Sequence, residues 1–153
     1  MGNVLNSPSG THGPGTDSIT YFPFPEAVFD VEQDSRGRIW VGTIKGLARY
    51  HAETGKIMLV EAAKASQQGV VWGLMEDAKG RMWFTSNQTL HYFDPATEVF
   101  RTFSQAQGLK NRQYFGHHLC LGASDFFFGG TQGMLRFDPL AIQENPYPPQ
   151  VVI

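Results

Sequence analysis

The sequence is poor in cysteine, in charge and in long apolar runs, and each shortage closes off a class of protein. Its 153 residues include one cysteine, Cys120, so it has no internal disulfide framework and no CxxC metal knuckle. Asp, Glu, Lys and Arg make up 17% of the chain, against about 25% in an average domain. That argues against a coiled coil, a charged bundle or a disordered tail. The 12 Lys and Arg are scattered from Arg36 to Arg136 and the net charge is −2, so no basic patch stands ready for nucleic acid. The least charged stretch, Gln113 to Leu135, is broken by Asp125 and by His117–His118. It falls short of the ~18 apolar residues that cross a membrane. The first twenty residues lack the basic start and apolar run of a secretion signal. Neither nucleic-acid binding nor direct membrane insertion is expected.

What the chain has in excess is Gly (17), Pro (9) and aromatic residues (13%), the composition of an all-β protein with many tight turns. It also repeats itself. Residues 28–43, VFDVEQDSRGRIWVGT, stand 43 residues before 71–86, VWGLMEDAKGRMWFTS. Val28/Val71, Asp34/Asp77, Gly37/Gly80, Arg38/Arg81 and Trp40/Trp83 are identical. The register runs on through Leu47/Leu90, Tyr50/Phe93 and Ile57/Phe100. A divergent third copy, Asp125 to Pro139, follows 44 residues later, and Phe93-Asp94-Pro95 recurs in it as Phe137-Asp138-Pro139.

Each copy reads as four short strands. The first two are joined by Asp34-Ser-Arg-Gly37 or Asp77-Ala-Lys-Gly80. In such a turn Asp accepts a nearby backbone N–H, and Gly takes the positive φ that closes the hairpin. The second strands, Ile-Trp-Val, Met-Trp-Phe and Phe-Phe-Phe, are continuous apolar runs and read as strands buried on both faces. A small antiparallel sheet covered on both faces and repeated every ~40–45 residues is a β-propeller blade. A β-sandwich is the alternative, but it supplies no reason for the repeat. The expectation is three four-stranded blades, as a partial ring or a ring completed by oligomerisation.

Val71, Leu74, Glu76-Asp77, Gly80, Trp83, Leu90, Phe93-Asp94-Pro95, Thr97 and Phe100 together resemble the two-component regulator propeller repeat. The third copy, with Gly129-Gly130-Thr131-Gln132-Gly133 and the exit segment 144–153, is similar to that family's terminal blade. The resemblance implies a sensor propeller of a bacterial two-component receptor, periplasmic or otherwise extracytoplasmic. It also implies a non-enzymatic role and glycan-breakdown products as one ligand class.

Family rings have about seven blades, and propellers in general close with roughly four to eight. Residues 1–18 read as a flexible lead with the remnant of a preceding blade, and 19–26 as a spare outer strand with a linker. Blade one then covers 27–69, blade two 70–112, and the terminal blade with its exit segment 113–153. Nothing after Pro139 reads as a fourth strand. Either Ile19–Phe22 completes blade three of another copy, or the chain is a piece whose missing blades lie elsewhere; an assembly module is the alternative to a sensor.

Candidate chemistry is sparse. Trp40 and Trp83, repeated in register, are assigned to packing between blades. Asp34 and Asp77 each sit in a separate turn and are assigned to it rather than to an acid–base pair. His117 and His118, neighbours on one strand, point to opposite faces and cannot share a metal. Cys120 reads as a small buried hydrophobe. No catalytic residue, metal site or cofactor is expected. Ligands meet a propeller at its mouth, where segments 23–27, 67–71 and 110–114 enter the inner strands. There Trp72, Arg112 and Tyr114 are the candidate ligand contacts, since aromatic faces beside a guanidinium suit sugar rings and anionic groups. The opposing reading packs Trp72 and Tyr114 between blades.

Overall fold

The computed structural model describes residues 19–62, 69–110, 113–121 and 125–142, with the side chains of 116–121 excepted. These residues form three antiparallel sheets. In the first, β1 (Val28–Gln33), β2 (Ile39–Thr43), β3 (Gly46–His51) and β4 (Lys56–Leu59) lie side by side in chain order. The second repeats it with β5 (Trp72–Glu76), β6 (Met82–Ser86), β7 (Thr89–Asp94) and β8 (Val99–Phe103). The third holds β9 (Tyr114–Leu121), β10 (Asp125–Gly130) and β11 (Gly133–Phe137). The third sheet therefore has three strands among the described residues, not the four expected of a full blade. Ile19–Phe22, read as a spare strand, joins no sheet among the described residues; Phe22 packs edge-on against Tyr50 of β3. Residues 1–18 and 143–153 lie outside the described residues.

The register carries the repeat into space. Trp40 lies between Glu32 and Arg49, Trp83 between Met75 and Tyr92, and Phe127 between Leu119 and Arg136. Both Asp-to-Gly turns close as the sequence requires. Gly37 donates to the Asp34 carbonyl and Gly80 to that of Asp77, each at 2.9 Å. The two glycines have φ of 77° and 79°, where a Cβ is strained.

The sheets meet at their first strands, β1 against β5 and β5 against β9, so their fourth strands are the outer ones. Apolar side chains fill the two gaps between sheets. Trp40, Leu47, Val71, Leu74, Met82, Phe84 and Phe93 pack between the first and second. Met75, Trp83, Leu90, Tyr92, Phe126 and Phe128 pack between the second and third. Both tryptophans are thus between blades, as their repetition implied. Polar ties cross the first gap: the Asp30 carboxylate accepts from Leu74 N–H at 2.6 Å, and Glu76 accepts from Ser35 N–H and Oγ at 2.7 and 2.8 Å.

The second strands follow the expectation twice and depart from it once. β6 is buried at every position and β2 at all but Ile39. β10 alternates instead, with Phe126 and Phe128 buried and Phe127 half-buried. Phe126 and Phe128 face the second sheet, and among the described residues no further sheet packs on the side of Phe127.

Candidate functional site

Two acidic residues dominate the buried polar network, and both serve the fold. Asp34 Oδ1 accepts from the backbone N–H of Arg36 and Arg38, and its Oδ2 from Arg38 Nε at 2.6 Å and Trp40 Nε1 at 2.8 Å. Asp77 repeats this bond for bond with Lys79, Arg81 and Trp83. Burial alone raises the Asp34 carboxyl; the Trp40 indole and the Arg38 amide and guanidinium outweigh it and hold the group below the usual carboxylate range. A carboxylate with four donors on it has no lone pair to spare for a substrate. Arg81 also donates to the Pro139 carbonyl at 2.8 Å, tying the second sheet to the turn after β11. The third copy has Leu121 at the equivalent of Asp34 and makes another connection, Arg136 to Asp125 at 2.6 Å.

His91 is buried between two hydroxyls, with Nε2 2.7 Å from Thr89 Oγ1 and Nδ1 3.0 Å from Thr102 Oγ1. Its ring stacks on Phe84 at 5.1 Å. Burial pushes its pKa down to about 4, so at neutral pH it is an uncharged core residue. Among the described residues no group of three or more His, Cys, Asp or Glu is gathered as a metal would require. Arg112 lies outside the described residues, as do the side chains of His117, His118 and Cys120.

The mouth of the sheet array is defined by backbone hydrogen bonds. Ile44 N–H donates to Ala27, Val71 to Thr43, Tyr114 to Asn87 and Thr131 to Gln113, at 2.9–3.0 Å. These bonds bring the segments entering β1, β5 and β9 to the same end as the turns after β2, β6 and β10. Tyr114 is buried, at 5% exposure, and its hydroxyl donates to the Lys110 carbonyl at 3.2 Å. It occupies the repeat position of Val71 and is buried as Val71 is, while also lining a cleft beside Lys110 and Met134.

Trp72 has a different setting. It is half-buried, with Phe29 on one side at 4.3 Å between ring centroids and Phe115 on the other at 5.9 Å, edge-on at 84°. Phe29 and Phe115 are 40% and 41% exposed. The three rings stand at one repeat position, each the second residue of a first strand or its direct equivalent, 43 residues apart. They make a continuous aromatic row across three sheets at the mouth. Sequence reasoning found Trp72 and missed its two neighbours, although the repeat offset from Trp72 marks both.

Comparison with known proteins comes to the same repeat. Residues 23–45 and 66–88 match the model of the two-component regulator propeller. A histidine kinase P4 of Formosa agariphila is 33% identical over 84 residues, which are 54% of this chain and 6% of that protein. Among solved structures, the extracellular domain of a hybrid two-component system of B. thetaiotaomicron superposes with a TM-score of 0.64 at 17% identity. It is matched over 73% of this chain and 16% of that one. An extracellular domain described as that of a one-component system, from the same organism, gives 0.57 at 21% identity, covering 76% and 16%. The chain spans a small part of each of these proteins, and at such identities the structural likeness concerns the fold. The sequence match, the 43-residue register and the stacked sheets agree: residues 23–45 and 66–88 are similar to two-component regulator propeller repeats, one in each of the first two sheets.

Proposed function

We propose that the chain is part of the ligand-sensing propeller of a bacterial two-component receptor, working outside the cytoplasm and without catalysis. The ligand meets the row Phe29–Trp72–Phe115. The observation that carries this reading is an in-register row of three aromatic rings at the mouth, Phe29 and Phe115 exposed and Trp72 half-buried between them. Leaving about two-fifths of two Phe side chains in water forfeits burial energy, and a contact that covers them on binding recovers it. Flat aromatic rings suit the C–H faces of a sugar, and the family resemblance makes oligosaccharides the first class to try. Support for a non-catalytic role comes from the acidic residues, since Asp34 and Asp77 spend all their acceptor capacity on their own turns.

Tryptophan fluorescence provides the test. Trp40 and Trp83 are 2% and 0% exposed, so quenching or a shift on titration with oligosaccharides reports on Trp72. An aromatic stacking contact is worth about 0.5–1.5 kcal/mol beyond its area, so Trp72→Ala is expected to weaken binding about tenfold, read calorimetrically. Trp72→Phe should retain most of the affinity. Unchanged affinity in a folded Trp72→Ala variant refutes the assignment of the row.

A further inference from the structure

The first strand of each sheet breaks register at the same place. In β1, Val28 pairs with Thr43 and Asp30 with Gly42, which leaves Phe29 as an extra residue. In β5 the pairing jumps from Trp72↔Thr85 to Met75↔Trp83, and in β9 from Tyr114↔Gly130 to His118↔Phe128. Such bulges re-aim the side chains beside them and leave backbone groups without a ladder partner. Gly73 has a φ of 60°, the left-handed conformation of a bulge glycine. Phe29, Trp72 and Phe115 stand at these three bulges, so the geometry of the aromatic row depends on what holds the bulges in shape.

Between the first two sheets one carboxylate serves both bulges. Asp30 Oδ1 accepts from the backbone N–H of Val31 at 2.9 Å, and its Oδ2 from that of Leu74, 44 residues further along the chain, at 2.6 Å. Val31 and Leu74 hold the same repeat position, so Asp30 bridges two equivalent N–H groups, one just past each bulge. Before the β5 bulge, the buried Thr85 hydroxyl donates to the Trp72 carbonyl at 3.3 Å. The stretch Trp72–Gly73–Leu74 is thus held at both ends. Gly42 lets the strands come this close, since a Cβ there would meet the Val71 carbonyl at 2.9 Å and Asp30 Cβ at 3.6 Å. Leu74 is fully buried, so loss of the carboxylate strands a buried N–H. Across this bridge Phe29 and Trp72 lie 4.3 Å apart, against 5.9 Å for Trp72 and Phe115. Gly73, at the repeat position of Asp30, brings no carboxylate to β9.

We propose that Asp30 is the positioning residue of the aromatic row: by bridging the bulges of β1 and β5 it sets Phe29 and Trp72 as a fixed pair. It acts through the backbone of the residues beside the rings. The inference rests on the row being the ligand contact. A pair of rings already locked in place does not have to be ordered when a sugar arrives, and binding is tighter by the ordering cost saved.

Hydrogen exchange and tryptophan emission of the full chain test this without a ligand. In Asp30→Ala the Leu74 amide should exchange about tenfold faster, while the amides of the β6–β7 ladder keep their protection. Acrylamide quenching of Trp72 should rise and the near-ultraviolet dichroism of the Phe29–Trp72 contact should fall; Trp40 and Trp83 are 2% and 0% exposed and stay silent to the quencher. A role confined to stability lowers the urea midpoint and moves none of these readings in the folded chain. Asp30→Asn keeps a carbonyl oxygen for the Leu74 N–H and should restore most of each reading. Asp30→Ser, with one oxygen in place of two, should change them in the same direction and serves where the Ala variant does not fold. An oligosaccharide that titrates the wild type should bind Asp30→Ala about tenfold more weakly. Altered Trp72 readings in a chain that no oligosaccharide titrates uphold the positioning role and refute the ligand reading instead. A folded Asp30→Ala or Asp30→Ser variant with wild-type Leu74 exchange and Trp72 quenching overturns the proposal, as does an Asn variant no better than Ala.

Discussion

Replacing Asp77 by alanine tests the energetic centre of the blade. The carboxylate accepts from Lys79 and Arg81 backbone N–H at 2.9 and 3.0 Å, and from Arg81 Nε and Trp83 Nε1 at 2.7 Å each. Removal strands the indole N–H of Trp83, which is 0% exposed, at a cost of about 1–3 kcal/mol. It also leaves the Arg81 guanidinium, 8% exposed, without its counter-charge, and breaking a buried pair from one side costs about 3–5 kcal/mol. The two penalties overlap, because Arg81 keeps its bond to the Pro139 carbonyl and water can enter the space left. A net loss of about 4 kcal/mol is expected, and at about 2–4 °C per kcal/mol for a chain of this size, a melting temperature lower by about 8–16 °C. Asp77→Asn keeps one carbonyl acceptor and should lose about half as much. Asp34→Ala should also cost less, about 2 kcal/mol, because Arg38 is 20% exposed and can be hydrated when its partner goes. Urea unfolding followed by tryptophan fluorescence measures all three. A loss below about 1 kcal/mol for Asp77→Ala, or equal losses at positions 34 and 77, refutes the reasoning.

The pH dependence follows from His91, whose pKa is about 4 when folded against 6.5 in the unfolded chain. Only the unfolded form takes up a proton between these values, so stability is full above pH 6.5 and falls towards pH 4, by up to about 1.4 kcal/mol per unit. His91→Leu should flatten the urea midpoint over that window. Asp34, with its lowered pKa, contributes stability that is lost only at lower pH, as its carboxylate protonates. Gly42→Ala would place a Cβ 2.9 Å from the Val71 carbonyl and 3.1 Å from Val71 Cγ1, wedging the first two sheets apart at a cost of about 1–3 kcal/mol, measurable by denaturant titration. Acrylamide should quench Trp72 and spare Trp40 and Trp83, so Trp72→Phe should abolish most of the quenching.

Much of the fold was legible because the repeat supplied internal copies to compare. Trp40 and Trp83 could be assigned to packing from their spacing alone. Phe126, Phe127 and Phe128 misled, since an unbroken apolar run does not say what covers each face, and Phe127 is half-buried where Trp40 and Trp83, at its repeat position, are buried. Tyr114 is a related case. It stands beside the mouth in sequence, but strand alternation turns it inward, and the next residue, Phe115, takes the outward place. The role of Asp34 and Asp77 as turn residues was readable, but their capture of a tryptophan N–H six residues away was not. That contact depends on how the hairpin twists, which no pairwise spacing specifies.

The sequence by itself determined the all-β class, the length of the blade and the strand order within it. All of these follow from periodicity, turn chemistry and the placement of Gly and Asp along the chain. Tertiary structure alone decided which faces are covered and which remain open, and so turned one recognisable tryptophan into a row of three aromatic rings. Burial is a property of neighbours. Leu47, Leu90 and Met134 hold equivalent places in the repeat, and only the presence or absence of the next sheet makes the first two core and the third surface.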